Sequence, residues 1–421
     1  MRKTPLVPVA LALMAGIITA CHLDISPTLW LWAMAICAIL IGVSLLTRHS
    51  PLLLTILFCG LAGGLLTTLK NTSELRPQSA EFLDVRLTET PVPREKSWRA
   101  RASVRNGGHI TLFFRKDSTA ATLRYGDRLL IHPSPNANYY YLTSDHYLVY
   151  QHDSTSLRAR SEHLRLHLLQ RMQAGPLEAR QTGVAEALAL GWRGDLNPET
   201  QASFRDAGIA HLLAVSGLHV GLLAAIIGGL LLWLGRERRG RIIRGTIQLA
   251  FVWLFTLLSG LAPSTIRAAL MFSLFIIADI TARRTPALNL LAGAAIITLV
   301  ANPLLIKDLS WKLSYSAVAG IIIAKPAITA FHNRLWQLTA VSTFATLATL
   351  PVVASTFHRL PVYFLIANIV IVPLAGVLLF LSLAYMVVPC TLTAWPLHYL
   401  ISACEGLTSW VASLPGAVVV V

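Results

Sequence analysis

Apolar runs long enough to cross a bilayer recur along this chain, and no other feature limits its possible folds so severely. Three come first, near residues 5–22, 28–47 and 51–69. Eight more follow, near 208–235, 244–262, 264–282, 287–304, 310–330, 335–356, 360–388 and 395–419. A bilayer core of ~30 Å takes ~20 apolar residues per helix, and lipid offers backbone groups no hydrogen bonds, so each segment must bond internally. With 55% hydrophobic and 13% charged residues and a mean hydropathy of +0.61, the chain is too apolar for a water-soluble protein. The reading is a mainly α, polytopic membrane protein with roughly 10–12 membrane helices. Pro326, Pro351 and Pro373 punctuate later runs, so some helices are expected to be broken or re-entrant. The first run imitates a secretory signal, but another begins at Thr28, and an uncleaved first helix is expected.

Between the two sets of runs the chain is polar and basic. Stretches such as "EFLDVRLTET", "SWRARASVR", "HITLFFR" and "HYLVYQH" alternate with period two between turn signals. They predict a small β-barrel of the oligonucleotide-binding (OB) type, inserted after the third helix. Residues 1–69 are then the first helices, 70–156 the β domain, 157–207 a helical connector, and 208–421 a second set of membrane helices. The connector's leucines recur at 3–4 spacing among arginines, as in an amphipathic helix lying on the membrane surface or packed on the barrel. The basic loop "RERRGRIIR", with Arg236, Arg238, Arg239, Arg241 and Arg244, marks the cytoplasmic side, and the β domain then falls outside.

The net charge of +15 exceeds what helix flanks need and suits a polyanion or a lipid surface. Arg99, Arg101, Arg105, Arg115 and Lys116 in the β domain are the candidate phosphate contacts. Trp98, Tyr139, Tyr140 and Tyr141 are candidate stacking surfaces or core. Cys21, Cys37, Cys59, Cys390 and Cys404 lie in or beside apolar runs without metal-ligand spacing and read as small buried hydrophobes. No metal or cofactor is expected.

Polar residues inside the later runs need partners or a hydrated cavity. In "AHLLAVSGLHVGLL" a regular helix would place Ser216 and His219 on one face, and Gly217 and Gly221 on another as a close-packing stripe. A water-lined path and a dry Ser–His hydrogen bond both account for this. A catalytic Ser–His pair would need an orienting acid and an oxyanion hole, and no GxSxG elbow is present. Pro263 opens a helix, and Arg267 one turn in would snorkel to the interface or contact phosphate. Trp311 beside Lys312 suits an interface anchor. Asn368 and Pro373 suit a broken helix lining a cavity.

"RDAGIAHLLAVSGLHVGLL" (205–223) closely resembles the signature of the ComEC family, the bacterial DNA-internalisation channel of natural competence. "PSTIRAALM" (263–271), "NPLLIKDLSWKLSYSAVAGI" (302–321) and "LPVYFLIANIVIVPLAG" (360–376) agree in the same order. The matching positions are His211, Ser216, Gly217, His219, Gly221, Pro263, Arg267, Leu313, Ser314, Asn368 and Pro373. Trp311-Lys312 replaces the usual Phe-Gln. The resemblance implies a multipass inner-membrane channel for single-stranded DNA, not an enzyme, embedded in membrane lipid. Its implied partners are a DNA receptor outside and a motor or single-strand-binding proteins inside. Many members end in a metallo-β-lactamase-like domain; no HxHxDH-type cluster occurs here, so a short form is expected, with either a separate nuclease or no degradation at all. The rivals are a secondary transporter with an external regulatory domain and a membrane-embedded Ser/His hydrolase.

Overall fold

A computed structural model describes residues 4–23, 25–47, 50–72, 82–94, 96–105, 108–132, 140–153, 155–235, 237–283, 285–331, 333–357, 359–361 and 363–420. Arg236 and Tyr139 lie outside them. The chain opens with helices α1 (Leu6–His22), α2 (Pro27–Leu46) and α3 (Leu52–Thr72). Ser26 caps α2 by accepting from Leu29 N, with Pro27 at the first helical position, where a missing N–H costs nothing. Glycines bring the three together: a Cβ on Gly16 of α1 would lie 1.8 Å from the Gly60 carbonyl oxygen of α3, and one on Gly64 would strike the Trp30 ring of α2.

The second helical set comprises α8 (Gly217–Leu230), α9 (Arg238–Leu258), α10 (Pro263–Ile280), α11 (Ala287–Ala301), α12 (Leu309–Ile323), the short α13 (Lys325–Ile328), α14 (Arg334–Phe357), α15 (Phe364–Val387) and α16 (Thr391–Ser413). Six of the described helices, α2, α3, α9, α10, α14 and α15, are long and apolar enough to cross a membrane. Four more apolar helices, α1, α8, α11 and α12, are shorter. Large apolar side chains stay exposed on them, among them Leu46 at 85% and Trp32 at 71%. Such a surface is stable in lipid and would aggregate in water. The protein is a mainly α, polytopic membrane protein with a small β domain.

Two expectations need correction. The run near 208–235 is not one helix: a 3-10 turn at Ala210–Leu213 precedes α8, whose 14 residues begin only at Gly217. Pro351 and Pro373 do not break their helices, since α14 and α15 run through them. Only Pro326 sits at a break, in the first turn of α13.

The β domain contains β1 (Leu83–Leu87), β2 (Val92–Pro93), β3 (Ser97–Val104), β4 (His109–Arg115), helix α4 (Ser118–Thr122), β5 (Arg128–Ile131), β6 (Tyr140–Leu142) and β7 (Tyr147–Gln151). The pairing order is β6-β4-β3-β1-β5-β7, with β2 also on β3. All pairs are antiparallel except β4 with β6. The two ends of this order, β6 and β7, are successive pieces of one chain segment joined by a 3-10 turn at Ser144–His146. That segment lends its first half to β4 and its second to β5, which curls the sheet into a half-barrel. A meander, a helix and two closing strands are the connectivity of an OB-type barrel. Val85, Leu87, Ala100, Leu112, Phe114 and Leu129 alternate inward to form its core.

The connector folds as α5 (Leu157–Gln173), α6 (Ala179–Leu190) and α7 (Pro198–Asp206). Helix α5 is not amphipathic in the expected sense: Ser161 and Glu162 are buried, whereas Leu157 and Leu164 are exposed. It packs on other helices through Leu169 and Met172 and also through polar contacts. The Ser161 hydroxyl donates to the Leu257 carbonyl, and Arg165 donates to the Ser259 carbonyl at 3.4 Å while pairing with Glu162 at 2.7 Å. Gly260 lies under this pair at φ +74°, where a Cβ would sit 2.6 Å from an Arg165 nitrogen, so both the turn and the close approach require glycine. At the other end of α5 the Tyr385 hydroxyl of α15 donates to Met172 O (3.1 Å) and accepts from Leu177 N (3.2 Å). Glu405 of α16 accepts from Arg180 and Thr200, tying in α6 and α7.

Candidate nucleic-acid interface

Strand alternation decides which side chains of the half-barrel face outward. On β3 the residues Ala100 and Ala102 point to the core, so Arg99 and Arg101 point away from it. On β4, Leu112 and Phe114 point inward, leaving Thr111, Phe113 and Arg115 outside. Register then aligns Arg99 with Phe113, and Phe113 with Tyr141 of β6. The result is a row of one cation and two aromatic rings across three strands, with Arg101 alongside. Tyr141 is 53% exposed. Arg101, Arg115 and Lys116 are exposed, Arg99 is half-buried, and none of these four forms an ion pair among the described residues. Arg105 instead pairs with Asp84 at 3.2 Å, an exposed contact of small energy. Trp98 faces the core and packs against it. Tyr139, and the side chain of Tyr140, lie outside the described residues.

In the helical half, three motif segments meet at the first two turns of α10. Ser264 donates to the Val215 carbonyl (2.9 Å), just ahead of Ser216. One turn on, Arg267 is 3% exposed and donates to the Ser310 carbonyl (3.1 Å), the Ser310 hydroxyl and the Ser314 hydroxyl (3.3 Å). Arg267 therefore does not snorkel; it crosses to the first turn of α12. Asp308 caps that turn by accepting from Trp311 N at 2.9 Å. Trp311 is not an interface anchor: it is 5% exposed, stacks on Tyr315 and donates to Thr298. Its neighbour Lys312 is exposed.

Ser216 and His219 do not share one face of a regular helix. Ser216 is the N-cap of α8 and His219 its third residue, and the two form a capping box. The Nδ1 atom of His219 accepts from Ser216 N at 3.1 Å and lies 3.0 Å from the Ser216 hydroxyl. With Nδ1 as acceptor, the neutral ring carries its proton on Nε2. His219 is buried, while His211 in the preceding turn is exposed. No ion pair among the described residues gives His219 an orienting acid, and the pair has the form of a cap, worth about 1 kcal/mol, rather than of an activated nucleophile. Gly221 lies against α10, where a Cβ would meet the Phe272 ring at 2.5 Å; Gly217 has only Ala268 near, at 3.9 Å. Asn368 stands apart from this cluster and donates to Ser342 on α14 (2.7 Å), one turn before Pro373 in the unbroken α15.

The profile of a family described as "Competence protein" matches residues 188–421, more than half of the chain. The chain belongs to the Competence protein family. It is 31% identical to ComE operon protein 3 of Bacillus subtilis (strain 168) over 192 residues, 46% of this chain and 24% of that protein. It is 26% identical to the protein of Escherichia coli (strain K12) called "Uncharacterized protein YcaI" over 229 residues, 50% of this chain and 28% of the other. The matches thus span about a quarter of the length of these relatives. No solved structure matches.

The matched region begins inside α6 and includes every helical motif residue named above. Three residues that complete the contacts are not evident from the sequence. Ser310 and Ser342 receive Arg267 and Asn368, and Phe272 covers Gly221; nothing in a single sequence pairs residues so far apart. Phe113 was legible, because "HITLFFR" alternates and places it beside Arg115 on the outer face.

Proposed function

We propose that this protein carries single-stranded DNA across the inner membrane during natural transformation. The row Arg99–Phe113–Tyr141 supports this reading most directly. It offers rings for base stacking and cations for phosphates on the exposed face of a half-barrel whose chain continues into Competence-family helices. The half-barrel lies outside the cytoplasm and receives the strand, and the arginine-rich start of α9, with Arg238, Arg239, Arg241 and Arg244, lies inside. A polyanion cannot cross lipid unaided, so it passes through a hydrated seam between helices, near the cluster around α10. The external receptor and the cytoplasmic motor or strand-binding protein are separate partners. The transport role assigns no bond-breaking step to this chain.

The full chain in detergent should bind labelled oligonucleotides of different sequence alike, as followed by fluorescence anisotropy. Phe113→Ala and Tyr141→Ala should each weaken binding by about 1–3 kcal/mol, the usual worth of one stacked base, with thermal unfolding unchanged. Equal affinity for the wild type and both variants would remove the sheet face from the reading.

A further inference from the structure

Helix α5 carries a stripe that its docking contacts leave unused. Arg160, His163, His167 and Arg171 are all exposed. At ~100° per residue they fall within ~80° of one another and extend over roughly 16 Å of the helix. They lie opposite the buried Glu162, Leu169 and Met172. None of the four joins an ion pair among the described residues. The carboxylates nearest the start of α5 are engaged elsewhere: Glu162 with Arg165, Asp153 with Arg86, and Asp127 with His152. His163 borders a cleft shared with Arg124, Asp127 and His152.

We propose that this stripe binds the phosphodiester backbone of single-stranded DNA and guides it from the half-barrel to the membrane helices. The proposal rests on the DNA-import reading and extends it to a second contact surface. Position supports it. Arg158 places its guanidinium 4.9 Å above the Tyr125 ring of the half-barrel, Ser161 and Arg165 hold the turn between α9 and α10, and the far end of α5 meets Tyr385 of α15. A strand leaving the half-barrel then meets Arg160, His163, His167 and Arg171 on its way to the helices. Leu157 and Leu164, exposed beside the stripe, give its bases apolar contact. Anionic lipid is the weaker candidate. A helix lying on a membrane sinks an apolar face among the acyl chains, and the face of α5 that could do so is packed against protein.

The test uses the full chain in phosphatidylcholine nanodiscs with a fluorescent oligothymidylate of ~30 nucleotides. Arg160→Gln combined with Arg171→Gln should lower the slope of log affinity against log salt by about 1.4, and weaken binding on the order of tenfold or more at ~50 mM salt. Arg99→Gln with Arg101→Gln serves as the reference for the sheet face. If the sheet pair loses affinity while the helix pair matches wild type in slope and affinity, the stripe is not a DNA contact and the import reading stands. If the wild type fails to bind at low salt, the import reading falls and the stripe with it. A fluorophore on Gln170→Cys that is quenched by brominated phosphatidylglycerol would place the stripe on lipid headgroups and overturn the proposal. Absence of that quenching, together with the lowered slope, supports it.

Discussion

Glu162→Ala should destabilise this protein by about 3–5 kcal/mol, the cost of leaving one member of a buried ion pair alone. Both side chains are nearly out of solvent, at 8% for Glu162 and 11% for Arg165. Burial pushes the Glu162 carboxyl up and the Arg165 guanidinium down, and each partner's charge opposes that penalty. Without Glu162, Arg165 stays buried against Gly260 and the Trp192 ring with a carbonyl as its acceptor. Glu162→Leu with Arg165→Met should lose much less, because no charge is then stranded. Thermal unfolding in detergent, followed by size-exclusion chromatography, measures both variants. A single variant as stable as wild type would mean that α5 does not depend on this pair for its position.

The second large effect is a dependence on pH. Glu186 of α6, outside the membrane-spanning helices, is 0% exposed, and neither carboxyl oxygen has a hydrogen-bond partner of ordinary geometry among the described residues. Burial, followed by the charge of Asp195, pushes its carboxyl up to about 8. The unfolded chain releases this proton near 4.5, and the folded chain holds it to about 8. The folded state thus binds more protons across that window, and its stability falls as pH rises through it. At 1.36 kcal/mol per pK unit, the loss is on the order of 4 kcal/mol by pH ~8. Glu186→Gln should remove it, so the melting temperature of the variant should exceed that of wild type at pH ~8.5 and match it near pH ~5. Parallel pH profiles for the two proteins would contradict this assignment.

The membrane helices were readable because hydropathy integrates over many residues and lipid tolerates few alternatives. Expected and observed ends of α1 to α3 differ by a few residues. The segment before α8 misled because an apolar run does not show where a helix begins; Ser216, an ordinary capping residue, carried that signal. Pro351 and Pro373 misled in the opposite direction, since neighbouring helices in a bundle can satisfy the carbonyls that proline frees. Strand alternation gave the half-barrel and its outward arginines, whereas the split of the last strand into β6 and β7 is tertiary. In α5 the leucine spacing pointed to an apolar face, but a buried ion pair and a hydroxyl do much of the docking. Arg267 was recognised as costly in lipid, and its partners, 43 and 47 residues on, appear only when α10 and α12 pack.

If a DNA strand reaches the cytoplasm through this protein, its import depends on the gene. Uptake of labelled DNA into a nuclease-protected pool, measured in cells lacking the gene and in cells given it back, tests this most directly. The protected pool should disappear in the deletion while DNA still binds at the cell surface, and the wild-type gene should restore it. A protected pool of undiminished size in the deleted cells would mean that the strand enters by another route.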